Sequence, residues 1–193
     1  MARTSPGTAI TSMQLDRAFQ EGILIPWRKG EPEQFKTAWD LLVADKGGLV
    51  FQPRLGIFED VAEIDYTSMY PTMMAIHNLS PETVLCRCCK NHRVPEVGYS
   101  VCEKREGIVP RTLKPILERR AWLKKMALSP PTPLGGEGQG EGGTKDRKEI
   151  YNRKQTALKW MLVTSFGYLG YRNARFGRIE AHRPSLPSDG KNS

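Results

Sequence analysis

Apolar positions along this 193-residue chain switch between helical spacing and short runs closed by glycine or proline. After the turn-forming Ser5-Pro6-Gly7-Thr8, the spacing of Ile10, Met13, Leu15, Ala18 and Phe19 predicts a short, weakly amphipathic helix, and Pro26 closes the segment Ile23-Leu24-Ile25 after it. Phe35, Ala38, Trp39, Leu41 and Leu42 predict a second helix over residues 33–43; Gly47-Gly48 breaks it, and Leu49-Val50-Phe51 reads as a strand. A further apolar run from Phe58 through Val61 to Ile64 reads as another strand, ending at Asp65, and residues 70–78 begin a helix. The segment from Cys86 to Cys102, flanked and interrupted by Pro81 and Pro95, reads as an irregular excursion.

Two longer helical patterns come next. Over residues 112–126, Leu113, Ile116, Leu117 and Trp122 share one side while Arg119, Arg120, Lys124 and Lys125 crowd the rest. Over residues 145–164, Ile150, Ala157, Leu158, Met161 and Leu162 alternate with Arg147, Lys148, Arg153, Lys154 and Lys159. Residues 129–144 between them are mostly proline, glycine and small polar residues, a composition that cannot form a packed core and reads as a flexible loop. The expectation is an antiparallel hairpin of two basic helices.

Charge narrows the partners. Lysine and arginine outnumber acids 29 to 21, giving a formal charge of +8 and a pI near 9.4, which favours a polyanion: nucleic acid first, an anionic membrane surface second. No apolar run is long enough to span a bilayer and no secretory-type apolar core opens the chain, so no membrane association and a cytoplasmic location are expected. All four cysteines, Cys86, Cys88, Cys89 and Cys102, fall in one segment, which argues against a disulfide framework. Two readings stay open: unpaired thiols in an insertion, or tetrahedral Zn²⁺ on Cys86, Cys89, His92 and Cys102, with Cys88 as a substitute ligand.

Three stretches carry candidate chemistry. Asp65-Tyr66-Thr67-Ser68-Met69-Tyr70-Pro71 places a carboxylate at a strand end, where it suits a hard divalent cation or, more simply, caps the following helix. Arg120 and Lys124, four apart, share a helix face and can reach one anion. Arg153 and Lys159, six apart, are not on one line of a helix, although long side chains can converge on a spread phosphate group; as bare pattern this is commonly a solvated face.

The first stretch resembles motif A of the family B DNA polymerases. Arg153-Lys154-Gln155-Thr156-Ala157-Leu158-Lys159 with Ser165-Phe166-Gly167-Tyr168 resembles their motif B, residues 117–124 resemble the arginine- and lysine-bearing fingers helix, and residues 170–182 resemble the return to the palm. The likeness covers nearly everything from Ser5 to His182. It implies an α+β fold, a partial polymerase palm with a two-helix fingers hairpin: residues 1–48 leading into the palm, 49–110 the palm with motif A and the cysteine insertion, 111–168 the fingers, 169–182 the return. By the same resemblance Asp65 is the catalytic carboxylate and a Mg²⁺ ligand, the Tyr66 carbonyl is another, and Tyr70 is the gate that rejects a 2′-hydroxyl. Arg120, Lys124, Arg153 and Lys159 would contact the triphosphate, and Gly167 would lie under the nascent base pair. Val163, Thr164 and Phe166 stand where asparagine, serine and tyrosine are usual, which suggests a divergent branch of prokaryotic or archaeal type.

The implied partners are primer–template DNA, a deoxynucleoside triphosphate and, as a further candidate, a second polypeptide carrying motif C. The Asp-Thr-Asp of motif C does not occur in these residues, so the two-metal site is incomplete and the chain alone is expected to be inactive or nearly so. Residues 183–193 read first as a disordered end. Their possible codons, shifted by one base, spell Glu-Ala-Ile-Thr-Ala-Phe-Gly-Arg-Glu-Lys-Leu, similar to the palm helix after motif B, so a frameshifted tail is expected. The rivals are a noncatalytic nucleic-acid or nucleotide-binding module, one part of a split polymerase, and a zinc-stabilised DNA-binding protein.

Overall fold

The computed structural model describes residues 4–25, 52–89, 92–94, 98–129, 141–171, 174–178 and 181. Four helices and one small hairpin organise them: α1 (Pro6–Gln20), α2 (Met69–Ile76), β1 (His92–Arg93), β2 (Ser100–Val101), α3 (Ile108–Leu128) and α4 (Glu141–Gly170). The expected helix over 33–43, the strand at 49–51 and the tail from residue 183 lie outside the described residues.

Local chemistry explains where the helices start. Ser5 caps α1 by accepting the Thr8 N–H at 3.2 Å, and Pro6 fits the first turn because its missing N–H would have had no intrahelical partner there. Helix α3 begins at Gly107, which has no capping side chain, and its first N–H groups are satisfied from a distance instead. Glu82 Oε1 accepts from Ile108 at 2.6 Å, and Ser80 Oγ accepts from Val109 at 3.3 Å. A carboxylate at that end also complements the helix dipole.

Helices α3 and α4 pack against each other as the hairpin expected from their pattern, and α1 and α2 close over them. Ile10 and Ala18 of α1, Met74 of α2, Leu113 and Ile116 of α3, and Leu162 and Leu169 of α4 form one apolar core, continued by Leu79, Val84 and Val101. Near the far end of the hairpin, Trp122 meets Tyr151 edge-on at 6.0 Å and carries the Arg119 guanidinium over its ring at 4.6 Å. Helix α4 starts at Glu141, inside the segment expected to be loop, and runs on to Gly170.

One expectation holds in coarser form and one is corrected. The described residues are mostly helical, with the β1–β2 hairpin and a single bridge from Val84 to Val101 as their strand content, rather than an evident α+β layer. Residues 61–64 are not a strand: Val61 and Ile64 are exposed and no described residue pairs with them. An apolar run can favour extended backbone, but a strand exists only with a ladder partner. Among the described residues no helix is long and apolar enough to cross a membrane.

Candidate functional site

Ser68 turns the exposed segment that carries Asp65 into α2. Its backbone sits in the left-handed region (φ 52°, ψ 45°), an uncommon place for a non-glycine residue, and so bends the chain sharply just before Met69. Asp65 itself is exposed and without a hydrogen-bond or ion-pair partner among the described residues. The bend turns Tyr70 inward, where its ring stacks on Phe166 of α4 with centroids 4.3 Å apart and planes 20° from parallel. Phe166, which the sequence presents only as a tyrosine lacking its hydroxyl, is thus the surface on which Tyr70 rests.

Arg120 approaches the same corner from α3. It lies on that helix's inward stripe, between Ile116 and Leu123, and its Nη1 donates to Ser68 Oγ. Its Nε is buried with no hydrogen-bond partner among the described residues, as is Oε1 of Gln155 on α4. Sequence reasoning misses Ser68 as a site residue; no local pattern marks a serine that is reached from a helix fifty-two positions away.

The other candidates are on the surface. Lys124 and Lys159 are exposed, and Arg153, 78% exposed, is held by Glu149 at 2.5 Å within the same helix. Around α4, Arg153 and Lys159 stand about 120° apart and flank a line of residues at spacings of three and four: Thr156, Trp160, Val163 and Gly167. That line is open, with Trp160 58% and Val163 50% exposed, and a Cβ placed on Gly167 would meet nothing within 4 Å. The structure therefore brings Arg120 to Ser68 and Phe166 to Tyr70 on either side of Met69, while Asp65, Lys124, Arg153 and Lys159 lie exposed.

A second cluster lies beyond the other end of α2. The sulfurs of Cys86, Cys88, Cys89 and Cys102 all fall within 4.8 Å of one another, and none is in a disulfide. Of His92 only the backbone is described, in β1 opposite Val101, so the part of the expected ligand set that falls on its side chain lies outside the described residues; among those described, Cys88 stands with Cys86, Cys89 and Cys102. Burial raises the Cys102 thiol, but the backbone N–H of Arg105, the Cys88 thiol and the N–H of Lys104 outweigh it and bring it down to about 6. Cys88, facing Cys102 and Cys86, is pushed up to about 12. Cys102 is thus favoured as the thiolate while Cys88, donating to it, is held as the thiol.

The fold is similar to that of the family B DNA polymerase from the hyperthermophilic archaeon Pyrobaculum calidifontis, with a TM-score of 0.60 and 29% identity over 94% of this chain and 22% of that one. In sequence the chain is 35% identical over 182 residues to DNA polymerase 2 of Saccharolobus solfataricus, covering 94% of this chain and 25% of the relative. It is 28% identical over 177 residues to DNA polymerase 1 of Pyrococcus abyssi, covering 91% and 21%. The sequence profile of DNA polymerase family B matches residues 3–180. The chain belongs to DNA polymerase family B, and it spans between a fifth and a quarter of the length of these two curated relatives.

Proposed function

We propose that this chain carries the motif A carboxylate and the nucleotide-binding fingers of a DNA-directed DNA polymerase, which adds deoxynucleotides to a primer 3′ end under template direction. The observation that carries this reading is the stack of Tyr70 on Phe166, with Arg120 tied to Ser68, because it presses the motif A turn against the motif B helix. A ring backed by another ring cannot swing aside, so Tyr70 is a rigid wall against a 2′-hydroxyl. Arg120, Lys124 and Lys159 would neutralise the triphosphate, with Arg153 joining them once released from Glu149. The open line Thr156, Trp160, Val163 and Gly167 offers a flat, largely uncharged surface for a base pair.

Asp65 fits a Mg²⁺ site as one ligand, being an exposed carboxylate without a competing partner among the described residues, and the Tyr66 carbonyl is the natural second. Bound there, Mg²⁺ would act as a Lewis acid on the reacting phosphate. A two-metal site also needs the carboxylates of an Asp-Thr-Asp hairpin, which these residues do not contain, so we infer that the chain alone binds its substrates without joining them.

The test is nucleotide and primer–template binding by the purified chain, followed by primer extension with and without an added polypeptide bearing Asp-Thr-Asp. Expected are salt-sensitive DNA binding, deoxynucleotide binding weakened about tenfold by Lys159→Ala, and extension only in the mixture. Extension by the chain alone would overturn the inference of inactivity. DNA binding indifferent to nucleotide, with no extension in the mixture, would make it a noncatalytic nucleic-acid-binding module.

A further inference from the structure

We propose that Cys86, Cys88, Cys89 and Cys102 together hold one structural Zn²⁺ that pins the root of helix α3; this does not depend on the polymerase reading. The geometry comes first. Neighbouring sulfurs are 3.3 Å (Cys86 to Cys89), 3.4 Å (Cys88 to Cys102), 3.6 Å (Cys89 to Cys102) and 3.9 Å (Cys88 to Cys89) apart. Four thiolates at about 2.3 Å from a tetrahedral zinc stand about 3.8 Å from each other along every edge, so the sulfurs already trace the outline of such a site. They are well beyond the roughly 2.05 Å of a disulfide. They are also too close together for the corners of a multi-iron cluster, whose outer thiolates are spread apart by the cluster itself.

The surroundings suit bound thiolates. Backbone N–H groups of Arg105 and Lys104 are directed at the Cys102 sulfur, and that of Glu103 at the Cys89 sulfur. Such donors orient metal ligands and offset their charge. Four thiolates with one Zn²⁺ leave a net charge of −2, and Arg87, Lys104 and Arg105, all exposed, lie beside the ligands in sequence.

The fold gives the ion something to do. Three of the cysteines lie between α2 and β1 and the fourth directly after β2, so a metal would close the loop between them. The strands within that loop, His92–Arg93 and Ser100–Val101, are too short to hold it by themselves. Cys102 is followed within six residues by the start of α3, and its carbonyl is already gripped by Asn78 Nδ2 at 2.8 Å. Metal binding in such a segment is folding free energy.

The experiment is elemental analysis of the full chain purified without chelator, joined to cobalt exchange and thiol titration. Expected are about one zinc per chain, and intense thiolate-to-Co²⁺ charge-transfer bands with tetrahedral d–d bands after exchange. Native thiols should resist a thiol reagent until a chelator frees all four, with a fall in the thermal midpoint. Cys86→Ser and Cys88→Ser should each lose most of the zinc, and His92→Ala should keep it. Iron in place of zinc, four freely reactive thiols in the native chain, or metal lost by His92→Ala and kept by Cys88→Ser would each overturn the assignment. The cobalt spectrum and thiol titration use the unaltered chain, so the proposal stays open to refutation even if a cysteine variant fails to fold.

Discussion

Helix α2 separates two segments that meet solvent in opposite ways. Before it, residues 53–67 are exposed throughout: Leu55 is 99%, Ile57 97% and Ile64 87% accessible, and the segment forms no strand. After it, the described residues between 78 and 109 are tied together by side-chain hydrogen bonds. Asn78 donates to the carbonyls of Cys102 and Arg105 at 2.8 and 2.9 Å and accepts the Gly107 N–H at 2.8 Å. Thr83 donates to the Asn78 carbonyl at 2.5 Å, and Arg178 Nη1 reaches the carbonyls of Pro81 and Val84. A carboxylate proposed to take a divalent cation must stay accessible, whereas the root of a long helix must have its orphan N–H groups satisfied. One stretch carries the carboxylate proposed to bind Mg²⁺ and the other fixes the frame beside it.

That contrast breaks most visibly at Asn78. Its φ of 54° is tolerated by asparagine and disfavoured by alanine, and its side chain serves three backbone groups at once. Asn78→Ala should lower stability by about 3 kcal/mol, combining unsatisfied backbone groups with backbone strain. Urea unfolding would show it as a lower midpoint at unchanged slope. Asn78→Asp, which keeps the acceptor for Gly107 and loses both donors, should fall between the two; a wild-type midpoint for Asn78→Ala would mean that the closed segment does not hold the frame.

A smaller effect belongs to the contact that bridges the two regions. Removing either ring of the Tyr70–Phe166 pair should destabilise the chain, and a double-mutant cycle with Tyr70→Ala and Phe166→Ala should return a coupling of about 1 kcal/mol. Zero coupling would separate the motif A turn from α4 and remove the main support for Tyr70 as a rigid wall.

How much of this is legible in the sequence depends on the reach of each interaction. Helices α1, α3 and α4 can be read because i to i+3 and i+4 spacing is local. The spacing places the start of α3 too late, since its caps, Glu82 and Ser80, lie 26 and 29 residues upstream. Val61 to Ile64 have the composition of a strand, but pairing belongs to two segments and cannot be read from one. Sequence spacing alone leaves Cys88 as a substitute ligand; the Val84 to Val101 bridge brings Cys102 up to all three upstream cysteines. The meaning of Phe166 depends on where α4 crosses α2, which no spacing within either helix encodes.

The smallest expected effect on stability is the sharpest test of the comparison. Asp65 is exposed and engages no described side chain, so Asp65→Asn removes no folded-state interaction and should leave the urea midpoint unchanged. The substitution keeps the shape of the side chain and removes the charge that a divalent cation requires. In the mixture with an Asp-Thr-Asp polypeptide it should abolish Mg²⁺-dependent primer extension, while DNA binding, carried by the basic helices, stays within about twofold. A loss of stability in Asp65→Asn would show that the carboxylate serves the fold, as a helix cap would, and full extension activity would remove it from the chemistry. An unchanged fold with extension lost is the outcome that only an accessible reactive segment beside a closed frame produces.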